Sequence, residues 1–123
     1  MIEAPARVLL VDDDAEICTF LATLLELEGM EPSVAATGED ALAALPGAAA
    51  ALVDIAMPGI DGLEALTLMR AVAEPPIVLV HSGFDAETMR DRVMALGAAD
   101  YLEKGGNLRE VREAVRRVMD RSA

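Results

Sequence analysis

The feature that most constrains this chain is an alternation repeated five times: a short apolar run, then a segment of helical period. Arg7–Val11 (RVLLV), Ala51–Asp54 (ALVD) and Ile77–His81 (IVLVH) are continuous apolar runs, the pattern of strands buried on both faces. Glu31–Ala35 and Asp100–Glu103 are shorter candidate strands, the first weakened by Pro32. Asp14 can cap a helix in which Ile17, Phe20, Leu21, Leu24 and Leu25 recur at helical spacing, with Gly29 as its stop. Gly38–Leu45, Gly62–Val72 and Asp85–Leu96 read as further helices; Leu63, Leu66 and Met69 turn the middle one toward the core. Asn107 caps the last helix, with Leu108, Val111, Val115 and Val118 on one stripe. The alanine tract Ala48–Ala51 reads as a helix-to-strand connection. The pattern is (βα) five times over, which predicts an α/β fold: a parallel five-stranded sheet with helices on both faces. By analogy with common doubly wound, flavodoxin-like sheets, the expected strand order is 2-1-3-4-5.

A length of 123 residues fits one domain, residues 1–123 with a core from 7 to 119. Acidic residues number 22 against 10 basic, a net charge of −12, yet 54% of the chain is hydrophobic, which argues against a disordered acidic tail. The charge excludes nucleic acid as a direct partner and disfavours anionic membranes. Aromatic residues are only 2% with no Trp, so stacking platforms for bases are absent. Cys18 is the only cysteine and can form no internal disulfide. The N-terminus is not a signal peptide, and no run approaches the ~20 apolar residues of a membrane span. A soluble, cytoplasmic protein is expected.

Ligands of such sheets bind at the carboxyl ends of the strands. There the chain places Asp12-Asp13-Asp14, Asp54, His81-Ser82-Gly83 and Glu103-Lys104-Gly105, while the strand bodies stay apolar. Strands 1 and 3 are neighbours in the expected order, so Asp12, Asp13 and Asp54 converge. At 4 Å and an effective dielectric near 20, each like-charge pair costs about 4 kcal/mol. A hard divalent cation offsets that cost, and Mg²⁺ with one or two carboxylates keeps room for phosphate oxygens. Lys104 adds a positive charge and Ser82 a hydroxyl. Together these make a phosphoryl-transfer constellation, with Asp54 on the central strand as the candidate nucleophile.

The motifs VLLVDDDAEI, ALVDIAMPGIDGLEAL, VHSGFDAE and GAADYLEK resemble, in this order and spacing, the receiver domain of two-component response regulators. The resemblance covers roughly residues 7–119. It implies that Asp12 and Asp13 organise Mg²⁺, with Asp54 and the backbone carbonyl of Ala56 as further ligands. It implies that Asp54 accepts a phosphoryl group from a histidine kinase or phosphotransfer protein. Ser82 matches the switch hydroxyl, Lys104 the lysine that pairs with phosphate, and Tyr101 the aromatic switch. Counting back from Gly97-Ala98 places Ser82 at the switch position; counting forward from Pro76 would allow His81 instead. The family usually has proline after the lysine, often cis, whereas Gly105 stands here; a trans bond and a more mobile loop are expected.

The resemblance further implies a protein target docked on the helix 4–strand 5–helix 5 face and a monomer or phosphorylation-dependent dimer. It implies no enzyme in the ordinary sense: the domain takes part in its own phosphorylation and slow autodephosphorylation. Only a few residues follow the last helix, so the expectation is either a stand-alone receiver of the chemotaxis type or a fragment of a longer regulator. Competing readings are a phosphorylation-independent interaction module, a flavodoxin-like flavin binder, and an aspartyl-phosphate phosphatase. The acidic loop after strand 1 opposes flavin phosphate, and a second catalytic carboxylate after Asp54 is missing for the phosphatase. Among residues left over, Cys18 reads as a buried inert thiol and His81 as a packed strand residue beside the site. Met57 and Met94 read as packing, and Arg109, Arg112, Arg116, Arg117 and Arg121 as a solvated helix face.

Overall fold

In the computed structural model, which describes residues 5–56 and 62–122, the five apolar runs are five parallel strands: β1 (Arg7–Val11), β2 (Glu31–Ala35), β3 (Ala50–Val53), β4 (Ile77–Ser82) and β5 (Asp100–Glu103). The strand order is β2-β1-β3-β4-β5, as expected. The helices between and after them are α1 (Ala15–Leu27), α2 (Gly38–Ala44), α3 (Gly62–Arg70), α4 (Ala86–Ala95) and α5 (Leu108–Ser122). Pro32 is accommodated because β2 is an edge strand, where a missing N–H is tolerated.

Side-chain alternation assigns the two faces of the sheet. Val8, Leu10, Leu52, Leu79 and Leu102 point to one face, where they pack with Leu21 and Leu25 of α1 and Val111, Val115 and Val118 of α5. Leu9, Val11, Val53, Val78 and Val80 point to the other, against Ala41 of α2, Leu66 and Met69 of α3, and Met89 and Val93 of α4. Nearly every residue of the inner strands β1, β3 and β4 is thus buried by one helical layer or the other, which is why those runs are continuous and not alternating, whereas the edge strand β2 is mostly exposed or half-buried.

Helix starts follow the sequence. The Asp14 carboxylate accepts from the Glu16 and Ile17 N–H groups, Thr37 Oγ1 from Asp40, Asp85 from Glu87, and Asn107 Oδ1 from Arg109. Gly29 and Gly97 follow α1 and α4 at φ 80° and 105°, backbone conformations that suit glycine.

Three expectations shift. Phe20, placed on the inner stripe of α1, is 57% exposed; the buried stripe is Cys18, Leu21 and Leu25. β3 runs from Ala50 to Val53, one residue earlier at each end than expected, so the alanine tract is half strand and Asp54 lies just past the strand end. β4 extends to Ser82, one residue beyond the expected end. The MPGIDG turn from Met57 to Asp61 and the Leu108 side chain lie outside what is described.

Candidate functional site

The carboxyl ends of the strands align because the register aligns them. Val11 pairs with Val53, Val53 with Val80, and Val80 with Tyr101. One step further along lie Asp12, Asp54 and His81, with His81 paired to Leu102. The backbone carries that alignment past the strand ends, since the Asp54 N–H donates to the Val11 carbonyl at 2.8 Å.

Asp12 and Asp54 are buried, at 5% and 4% exposure, whereas Asp13 is exposed. Ligand oxygens of all three lie within 4.8 Å of one another. Each buried carboxylate is fixed by its own chain: Asp12 Oδ1 accepts from the Asp14 N–H at 2.9 Å, and Asp54 Oδ1 from the Ala56 N–H at 2.9 Å. Their other oxygens converge on one cation. Lys104 Nζ lies 2.8 Å from Asp12 Oδ2 and 2.8 Å from Asp54 Oδ2. Burial disfavours the charged ammonium, but its hydrogen bonds to Asp12 and Asp54 outweigh that and raise the Lys104 pKa above its ordinary value. The Lys104 N–H donates to the Ser82 carbonyl at 2.7 Å, which ties the residue to the end of β4. No described peptide bond is cis, and Gly105 follows at φ 85°.

The lysine therefore performs part of the offset that the sequence assigned to a metal. The donor set still fits a hard divalent cation. It is all oxygen, one oxygen from each of three carboxylates lies within 4.8 Å of the others, and Asp13 contributes a charge that makes no described ion pair.

Ser82 and Tyr101 form a second group on the opposite face of the sheet. Ser82 is fully buried, and its Oγ accepts from the Phe84 N–H at 3.3 Å. The Tyr101 hydroxyl donates to the Phe84 carbonyl, and its ring is buried. Burial raises the Tyr101 pKa, and the Ser82 hydroxyl beside it pulls in the opposite direction. No described hydrogen bond joins Ser82 to Asp54. The sequence marks Phe84 only as an apolar residue two positions after Ser82; what it contributes here is its backbone N–H and C=O. Glu103, which the sequence places at this edge without a role, has one here: its Oε1 accepts the Ala86 N–H at 2.7 Å and so supplies an acceptor to the start of α4. Cys18 is buried, donates to the Asp12 carbonyl at 3.5 Å, and has its pKa raised by burial and then by Asp12, which fits an inert thiol.

His81 is buried beside this site, as expected. Burial, then the Lys104 charge, lower its pKa, and its Nδ1 has no hydrogen-bond partner.

The family described as response regulator receiver domain matches residues 8–116. The transcriptional regulatory protein CpxR of Klebsiella pneumoniae is 37% identical over 117 residues, covering 94% of this chain and 50% of the relative. The sensory transduction protein RegX3 of Mycolicibacterium smegmatis is 35% identical over 118 residues, covering 94% of this chain and 51% of the relative. The chain thus spans about half the length of these curated relatives. Among solved structures, the Francisella response regulator 1452 receiver domain superposes with a TM-score of 0.87 at 28% identity, over 96% of this chain and 99% of that one.

Proposed function

We propose, from the premise that this chain belongs to the response regulator receiver domain family, that Asp54 is its phosphoacceptor and that phosphorylation there resets a protein-binding face. The observation that carries this reading is the single ammonium of Lys104 held 2.8 Å from both Asp12 and Asp54 at the carboxyl edge of the sheet. That arrangement supplies a nucleophilic carboxylate and a fixed positive charge on the same few ångströms of surface.

The donor is a phosphohistidine on a histidine kinase or phosphotransfer protein. An Asp54 carboxylate oxygen attacks phosphorus; the P–O bond forms as the P–N bond breaks, and its electron pair stays on the imidazole nitrogen. Asp12, Asp13, Asp54 and the Ala56 carbonyl would hold Mg²⁺, which when bound neutralises charge on the transferring group. Lys104 loses a carboxylate partner when Asp54 becomes an acyl phosphate and takes a phosphoryl oxygen instead. Ser82 turns its hydroxyl toward the new dianion, which frees the Phe84 N–H that Ser82 Oγ now accepts. Tyr101, tied to the Phe84 carbonyl, moves with that loop. The equilibrium shifted is that of the α4–β5–α5 face, where a protein target docks or a dimer forms on phosphorylation. The domain works in the cytoplasm, touches neither DNA nor membrane directly, and loses its phosphoryl group slowly by hydrolysis. No described helix is long and apolar enough to cross a membrane.

Incubation with acetyl phosphate and MgCl₂, followed by intact-mass measurement, tests the reading. One phosphoryl adduct is expected on the wild type and none on Asp54→Asn; no adduct on the wild type overturns it.

A further inference from the structure

Lys104 reaches its carboxylates across another strand. Neighbouring strands lie about 4.8 Å apart, so β3 is roughly 10 Å from β5, with β4 between. Lys104 continues the alternation of Leu102, and so rises from β5 on the α1/α5 side of the sheet. On that side, the residue of β4 in line with Asp54 is His81, which continues the alternation of Leu79. Lys104 and His81 line one groove of about 310 Å³ between α1 and the β5–α5 turn, together with Ile17, Phe20 and Gly105.

The imidazole is an odd choice for this place. It is 7% exposed, and its Nδ1 is the one buried side-chain nitrogen or oxygen without a partner among the described residues. Leaving such an atom unpaired destabilises the fold. The ring therefore contributes its surface there and no hydrogen bond through Nδ1. Its neutrality matters, because a charged imidazole would repel the ammonium; burial and the Lys104 charge both favour the neutral form. The turn beyond gives little guidance of its own: Gly105 and Gly106 carry no side chain to hold the lysine stem, and a Cβ at Gly105 would meet nothing within 4 Å.

We propose that His81 is a positioning residue: its ring is the plate across which the Lys104 stem runs, and it holds the ammonium where phosphoryl transfer to Asp54 needs it. This rests on the reading of Asp54 as phosphoacceptor. It adds a residue that acts only through Lys104.

The test is a double-mutant cycle on the full chain with phosphoramidate and MgCl₂, read as the maximal rate of phosphoryl uptake by intact mass. His81→Ala removes the plate and is expected to slow uptake on the order of 10-fold, since small misplacements of a reacting group are costly. His81→Phe keeps a ring and removes the unpaired nitrogen, so it should stay within about 2-fold of wild type while raising the thermal midpoint. In a Lys104→Ala background, His81→Ala should add no further loss. The same cycle in thermal stability, without metal or donor, should show the two residues coupled. Independent losses at His81 and Lys104, or a His81→Phe as slow as His81→Ala, overturn the proposal. Failure of the wild type to take up any phosphoryl group would instead overturn the assignment of Asp54.

Discussion

The ammonium of Lys104 lies 2.8 Å from Asp54 Oδ2, although a whole strand separates the two residues in the sheet. The same nitrogen is 2.8 Å from Asp12 Oδ2. One cation thus holds two buried carboxylates whose mutual repulsion would otherwise oppose folding, and it holds them facing the place where a phosphoryl group would arrive. On the proposed reading, the positive charge that pairs with Asp12 and Asp54 at rest is also the charge available to the product.

Removing that cation leaves two carboxylates buried without their partner. Lys104→Ala is expected to cost about 3 kcal/mol in metal-free buffer, the magnitude for breaking a buried pair. Added MgCl₂ should then raise the thermal midpoint of the variant more than that of the wild type, because metal and ammonium act on the same oxygens. Calorimetry with and without MgCl₂ checks this; equal shifts in both proteins contradict it.

The buried imidazole makes stability depend on pH. Burial, then the nearby Lys104 charge, hold His81 below its ordinary value of about 6.5, against the opposing pull of Asp12 and Asp54. The unfolded chain therefore binds a proton near pH 6.5 that the folded chain does not. Stability is full above that pH and falls as the pH drops toward the folded value, by at most about 1.4 kcal/mol per pH unit from this group. Urea melts from pH 7.5 to 5 should show a shallower fall in His81→Phe than in wild type.

The Tyr101 hydroxyl and the Phe84 carbonyl link β5 to the β4–α4 loop. Tyr101→Phe should lose about 1 kcal/mol with that bond. It should leave phosphoryl uptake by Asp54 unchanged while weakening the response of α4. Amide hydrogen exchange across Ala86–Ala95, before and after phosphorylation, reads that response.

Gly62 starts α3 against the backbone that follows the acidic strand end. A Cβ there would fall 2.2 Å from Ile55 Cα and 2.3 Å from its carbonyl oxygen. Gly62→Ala should therefore destabilise by about 1–3 kcal/mol through overpacking. It should also slow phosphoryl uptake, since the displaced segment carries the Ala56 N–H that fixes Asp54 Oδ1. Chemical denaturation and uptake kinetics on one preparation test both halves.

Much of this is legible in the sequence alone. Doubly buried strands force continuous apolar runs, and the runs ending in Asp12, Asp54 and Ser82 marked one edge of the sheet. What periodicity could not decide was which side of α1 faces inward. Its apolar residues fall on two stripes, Phe20–Leu24–Leu27 and Cys18–Leu21–Leu25, and only packing against the sheet selects the second. Nor could the crossing of Lys104 over β4 be read from spacing, because it joins residues 50 positions apart through a strand in the middle. The hydrogen bonds of Phe84 could not be read either, because they are made by its backbone, which leaves no trace in residue type.

The central claim is that the chemistry happens on one oxygen-bearing side chain. Borohydride reduces an aspartyl phosphate to homoserine, so reduction of the acetyl-phosphate-treated protein followed by fragment mass spectrometry identifies the modified residue. The account predicts homoserine at position 54 alone, dependent on MgCl₂. Homoserine at Asp12 or Asp13, or none at any position in a protein that has gained phosphoryl mass, would contradict it.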